Sequence, residues 1–186
     1  MNPRTSQTDP IRVDWLPDGI GSMPGRLGMT LAPGKSGPSR VGERWERDLW
    51  YDLRRLDETY DVDCLVTLLE AVELAELGIE ELFEEANRRG IDCYWYPWVD
   101  GGVPESEDAV EALVDHVMSR VYSGERVVVH CRGGLGRSGT LVGCCLRSIA
   151  YEPERAVEIV RDARTGAIEN ERQEEYVREH DGFWLP

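Results

Sequence analysis

The sequence is poor in positive charge and almost without lysine. It holds 21 Lys and Arg against 36 Asp and Glu, a net charge of −15. Lys35 is the single lysine. So acidic a chain is not expected to take nucleic acid or an anionic membrane as partner. The same charge argues against highly charged inositol phosphates as substrates, although a local basic pocket is compatible with it. No run approaches the ~18 apolar residues of a membrane-spanning helix, and residues 1–10 lack the apolar centre of a signal peptide. The five cysteines (64, 93, 131, 144 and 145) are an odd number without framework spacing, and no Cys-x2-Cys pair points to zinc. A reduced, cytoplasmic, monomeric protein with no cofactor and no metal is the expectation.

What is present is an alternation of strand and helix patterns over 186 residues, enough for one domain with a real core. Residues 1–10 read as a mobile tail and 11–186 as a single domain. Ile11–Leu16 alternates like a strand and pairs in a hairpin with residues 26–31. Val41, Trp45, Leu49, Leu53 and Leu56 recur at helical spacing, predicting a helix over Val41–Thr59. Val62–Leu68 and Ile91–Trp95 read as strands, with a helix around Leu82–Ala86 ended by Gly90. A helix is predicted over Ser106–Tyr122, then a strand at Arg126–Val129, and helices behind Leu141, from Pro153 to Arg164 and from Asn170 to about His180. This order predicts an α/β fold: a central, mostly parallel sheet of about five strands with helices on both faces.

The most informative stretch is His130-Cys131-Arg132-Gly133-Gly134-Leu135-Gly136-Arg137-Ser138. It follows a buried strand and precedes a buried helix, the arrangement in which loop amides and a helix N-terminus hold a phosphate. Cys131 is predicted to be a thiolate nucleophile there, its ionisation favoured by the helix N-terminus and Arg137. Arg137 supplies a planar fork for two phosphoryl oxygens, with Arg132, Gly133, Gly134, Leu135 and Gly136 forming the rest of the cradle. The Ser138 hydroxyl is placed to hydrogen-bond the sulfur and improve it as a leaving group. His130 supports the loop from the strand end and points away from the ligand. His before the Cys, Gly at the third intervening position and Ser after the Arg bring the chance expectation to about one in ten thousand.

Expelling an alcohol or phenol oxygen needs a proton donor opposite the thiolate. Asp100, in Trp98-Val99-Asp100-Gly101-Gly102, is the candidate, on a loop that two glycines allow to move. Partial burial beside Trp98 is expected to favour its acid form. Glu105, Glu107 and Asp108 read instead as first-turn carboxylates of the following helix. His116 reads as a solvated surface residue, and Cys144 and Cys145 as core. Cys64 and Cys93 are open as partners that could trap oxidised Cys131.

His-Cys-x5-Arg-Ser is the signature of cysteine-dependent protein phosphatases. The longer string resembles the kinase-associated dual-specificity phosphatases, and so do Leu27-Gly28 with Pro33-Gly34-Lys35, Asp100-Gly101-Gly102-x-Pro104, and Gly166-Ala167-Ile168 with Gln173. The resemblance runs from about Ile11 to about Val177. It implies the dual-specificity phosphatase fold, with Asp100 as general acid and Gln173 positioning water for the second step. It also implies phosphomonoester hydrolysis through a phospho-cysteine on phosphotyrosine and/or phosphoserine/threonine of proteins, a kinase among the candidate substrates. A phosphoinositide or other small-molecule phosphatase and a phospho-residue binding module are the alternatives. Lys35 enters only as part of the structural match and reads as a solvated lysine. With Arg132 the only extra charge inside the loop, protein substrates are favoured.

Overall fold

The computed structural model describes residues 3–38 and 44–184. Its centre is a five-stranded sheet in the order β2-β3-β8-β6-β7. These strands are β2 (Asp14–Trp15), β3 (Arg26–Thr30), β6 (Cys64–Thr67), β7 (Asp92–Trp95) and β8 (Arg126–His130). β3, β8, β6 and β7 run parallel, and β2 closes one edge antiparallel to β3. The mostly parallel five-stranded sheet is as expected. The first strand is shorter, with only Asp14 and Trp15 in register opposite Met29 and Gly28.

Period-two alternation sends the two sides of each strand into different cores. Cys64, Val66, Val127 and Val129 face helices α4 (Glu107–Tyr122), α5 (Gly136–Ser148), α6 (Pro153–Ala163) and α7 (Glu171–Glu179). Leu65 and Val128 face α1 (Leu49–Glu58), α2 (Ala71–Leu77) and α3 (Leu82–Asn87). α4 is capped by Ser106, whose Oγ accepts from Ala109 N at 3.3 Å, and it buries Val110, Leu113, Val114, Val117 and Val121 as its periodicity requires. Cys144 and Cys145 are fully buried on α5. α7 approaches α5 closely at Gly143, where a Cβ would lie 2.7 Å from Val177 Cγ1.

Several expectations need correction. The helix predicted from Val41 starts only at Leu49, because Asp48 caps it: its Oδ1 accepts from Tyr51 N at 2.7 Å. Val41 lies outside the described residues. Trp45 belongs instead to a strand, β5 (Arg44–Glu46), of a second, three-stranded sheet in the order β1-β5-β4, with β1 (Arg4–Thr5) and β4 (Ser36–Pro38). The segment read as a mobile tail is therefore paired: Arg4 and Thr5 lie in parallel register with Trp45 and Glu46. α2 had no sequence signal strong enough to be predicted. His116 is half-buried and stacks on Tyr94 with ring centroids 4.0 Å apart, rather than facing solvent. Trp184 packs down against Tyr122, whereas Phe183 stays 71% exposed.

The register decides where a site forms. Thr30, His130, Thr67 and Trp95 end their strands side by side. Four loops leave this carboxyl edge together, the position where parallel α/β sheets bind ligands. Cys64 pairs with Val127 and Cys93 with Leu65, near the other end of the sheet. Four residues along a strand span about 13 Å, and a disulfide needs Cα atoms within about 7 Å. Cys64 is thus no partner for Cys131, and Cys93, two strands away from β8, is further removed.

Candidate active site

Cys131 is the first residue past β8, only 3% exposed. The loop behind it folds back over the end of β3. Gly134 makes this possible: its φ is 71°, and a Cβ there would sit 2.1 Å from Thr30 O. Leu135 begins α5, its carbonyl accepting from Gly139 N at 2.9 Å and from Ile168 N at 3.3 Å. Gly136 N donates to Glu169 Oε2 at 2.9 Å. His130 is buried and turned away from the loop mouth, with Nε2 2.8 Å from Thr67 Oγ1 and Nδ1 3.4 Å from Cys131 O. Burial pushes its pKa down to about 4, so the ring is neutral at physiological pH.

Arg137 lies on the first turn of α5 with a side chain that is wholly buried. Glu73 grips the outer end of its guanidinium, Nη1 to Oε2 at 2.5 Å and Nη2 to Oε1 at 2.8 Å. Nη1 also donates to Trp98 O at 2.9 Å and Leu68 O at 3.2 Å. Nη2 is 3.0 Å from Asp100 Oδ1. Nε is buried without a hydrogen-bond partner among the described residues. One edge of the fork is thus fixed by protein, while the other combines an unsatisfied donor with a displaceable contact to Asp100.

Glu73 was not foreseen from sequence. It stands at the third position of α2, where it also accepts from Glu70 N at 3.0 Å in a reciprocal capping box. The Glu-x-x-Glu spacing is the one trace it leaves, and that trace reads as helix capping. Burial works against its ionisation, but the hydrogen bond and charge of Arg137 and the Glu70 amide prevail and hold its carboxyl below the usual range.

Asp100 is brought to the same place, one-third exposed and lining the cavity that contains Cys131. Its loop is tied to the N-terminus of α7: Asn170 Nδ2 donates to Gly101 O at 3.1 Å and Gln173 Nε2 to Gly102 O at 3.2 Å. Gln173 is fully buried, and its Oε1 accepts from Glu169 N at 3.0 Å. Both ends of its amide are therefore engaged. Ser138 Oγ is buried without a partner among the described residues, so the expected hydrogen bond to sulfur is not formed. Arg132 points outward and pairs with Glu76 at 3.0 Å.

The cavity measures about 600 Å³. Arg12, Lys35, Trp45, Arg132 and Arg164 contribute to its wall beside Cys131 and Asp100. The solvated reading of Lys35 is thus overturned: it is 7% exposed, and its Nζ donates to Arg132 O at 3.2 Å. Arg12, Lys35 and Arg164 come from elements outside the loop, so counting charges inside the loop, where Arg132 lies, missed them.

Among the described residues, no helix is long and apolar enough to cross a membrane. A family model described as PTP-SAK, "Swiss Army Knife protein, DSP-PTPase phosphatase domain", matches residues 59–177. Cyclin-dependent kinase inhibitor 3 of Rattus norvegicus is 28% identical over 180 residues, covering 95% of this chain and 82% of that protein. The Homo sapiens protein of the same name is 27% identical over the same shares. In fold the chain is similar to kinase associated phosphatase (KAP), crystallised with its catalytic-site cysteine replaced by serine. The TM-score is 0.81 at 24% identity, covering 91% of this chain and 93% of that one. Tk-PTP in its active form gives a TM-score of 0.65 at 29% identity, covering 84% and 92%. Motif, fold and family match agree: the chain belongs to the DSP-PTPase family of cysteine-dependent phosphatases.

Proposed function

We propose that the protein hydrolyses phosphomonoesters of tyrosine and/or serine/threonine in proteins through a phospho-cysteine. The observation that carries this reading is the meeting of Cys131 and Asp100 at one cavity, with a buried, half-satisfied Arg137 directly behind Asp100. The Cys131 thiolate attacks phosphorus as the ester oxygen leaves, and Asp100 gives that oxygen its proton. Arg137 binds two phosphoryl oxygens through Nε and Nη2, the edge that Glu73 does not hold, and the phosphate displaces Asp100 from Nη2. The loop amides from Gly133 to Arg137 supply the remaining donors, that of Gly136 once the phosphate takes the place of Glu169 Oε2.

In the second step water attacks the phospho-cysteine, giving its proton to the Asp100 carboxylate that the first step produced, and the sulfur leaves. Ser138 Oγ, unpaired in the resting site, donates to the departing thiolate. Gln173 orients the water after releasing Gly102, and with Asn170 it keeps the Asp100 loop in place before that. Relatives that bear the name cyclin-dependent kinase inhibitor 3 support a phosphoprotein substrate, kinases included.

Asp100→Asn tests the acid. Its kcat on an aryl phosphate is expected to fall by about 10²-fold or more, the usual share of general acid catalysis. A wild-type rate in Asp100→Asn would assign the proton to another group.

A further inference from the structure

Beneath a strongly acidic surface, one wall of the cavity is short of negative charge. Lys35 is buried there with its Nζ 4.1 Å from the centroid of the Trp45 ring. Burial, followed by the repulsion of Arg47, Arg164 and Arg132 and opposed by Cys131, lowers its pKa to about 8. The carboxylates of the cavity are engaged elsewhere. Asp14 pairs with Arg164, Asp9 with Arg4 and Asp100 with Arg137, while Glu169 accepts from Gly136 N. Neither Lys35 nor Arg12 has an ion-pair partner among the described residues. Arg164 Nε is buried and unpartnered as well.

A buried ammonium without a counter-anion is unfavourable unless something completes it. Of the three N–H groups of Lys35, one reaches Arg132 O and the Trp45 face takes up a second direction, so donor capacity remains. The cavity, at about 600 Å³, falls within the range of whole small-molecule sites, about 300–1,000 Å³. It leaves room beside the phosphate that Cys131 and Arg137 receive. We infer that the preferred substrate carries a second phosphate next to the scissile one, received by Lys35, Arg12 and Arg164 against the Trp45 ring. The inference rests on the hydrolase reading, which assigns the first phosphate to Cys131.

Such a pair of phosphates occurs on a doubly phosphorylated peptide or on an inositol bisphosphate, so the test uses both. One pair of probes is a phosphotyrosine peptide with and without a neighbouring phosphothreonine. The other is an inositol monophosphate and a bisphosphate with adjacent phosphates. Affinity is measured by calorimetry on Cys131→Ser protein, and phosphate release on the wild-type thiol enzyme. In at least one pair the bisphosphate is expected to bind about tenfold or more tightly, the yield of one charge-assisted hydrogen bond. Lys35→Gln and Arg12→Gln, each added to Cys131→Ser, should shrink that ratio to about twofold or less. Arg12 is exposed, so its variant decides the matter if Lys35→Gln does not fold. Preference in one pair alone identifies the source of the second phosphate. Equal affinities within both pairs, or a ratio untouched by both substitutions, overturn the inference and leave Lys35 serving only the thiol. Absence of phosphate release from every probe would instead sink the hydrolase reading, with the binding ratio still deciding the subsite.

Discussion

Replacing Cys131 by serine is expected to lower turnover of a simple aryl phosphate by about 10⁴-fold or more, because nucleophile, cradle and acid work as a unit. The substitution exchanges sulfur for oxygen and leaves every contact of Arg137 in place, since none of them runs to the sulfur. The pocket should therefore persist. Cys131→Ser is expected to keep the wild-type melting temperature and to bind inorganic phosphate, so that the loss lies in kcat alone. Turnover near the wild-type rate would mean that water attacks the substrate directly and that the loop only binds it.

The second large effect concerns stability as well as activity. Glu73→Ala removes the carboxylate from a guanidinium that has no route to solvent. Breaking a buried pair from one side costs about 3 kcal/mol or more, and Asp100, one-third exposed, is then the remaining carboxylate against Arg137. For a domain of this size that corresponds to a fall in Tm of about 6–12 °C. Activity should fall too, since Arg137 loses the group that fixes one of its edges. Glu73→Gln keeps the shape and part of the hydrogen bonding and should lose less.

Proton linkage separates this pair from the other buried ionisable group of the loop. The folded carboxyl of Glu73 titrates below its ordinary value of 4.5. Its contribution is therefore complete above that pH and lost as pH falls through the folded value. His130 resists protonation in the fold, at about 4 against 6.5. The unfolded chain accordingly takes up its proton first, and stability declines between those two values. Denaturation followed against pH should show both declines in the wild type. Glu73→Gln should flatten only the lower one. A variant as acid-labile as the wild type below pH ~4.5 would show that the Glu73 pair is not what acid breaks.

How far the sequence could be read depended on whether the interacting groups were neighbours in the chain. The loop from Cys131 to Arg137 was legible because strand, glycines and helix follow one another within a dozen residues, and local geometry fixes what faces inward. Asp100 could be reached because its loop also leaves the carboxyl end of a parallel strand. Glu73 could not, since its pairing with Arg137 depends on β6 lying beside β8, which pattern alone does not dictate. Lys35, Arg12 and Arg164 lie far apart in the chain, and long-range contacts hold two of them at one wall, Lys35 to Arg132 O and Arg164 to Asp14 and Gly133 O. The false helix from Val41 came from the same cause. Trp45 fits a helical stripe by spacing, yet as part of β5 its ring lies against Lys35 Nζ on one wall of the cavity.

The central claim is a covalent phosphate on one sulfur. Gln173→Ala protein, slowed in the attack of water on the intermediate, would be mixed with a radiolabelled aryl phosphate, quenched in acid and digested. Label is expected on the peptide containing Cys131, and none when Cys131 is serine. Free phosphate appearing at the single-turnover rate with no labelled peptide, or with label on another residue, would contradict the account.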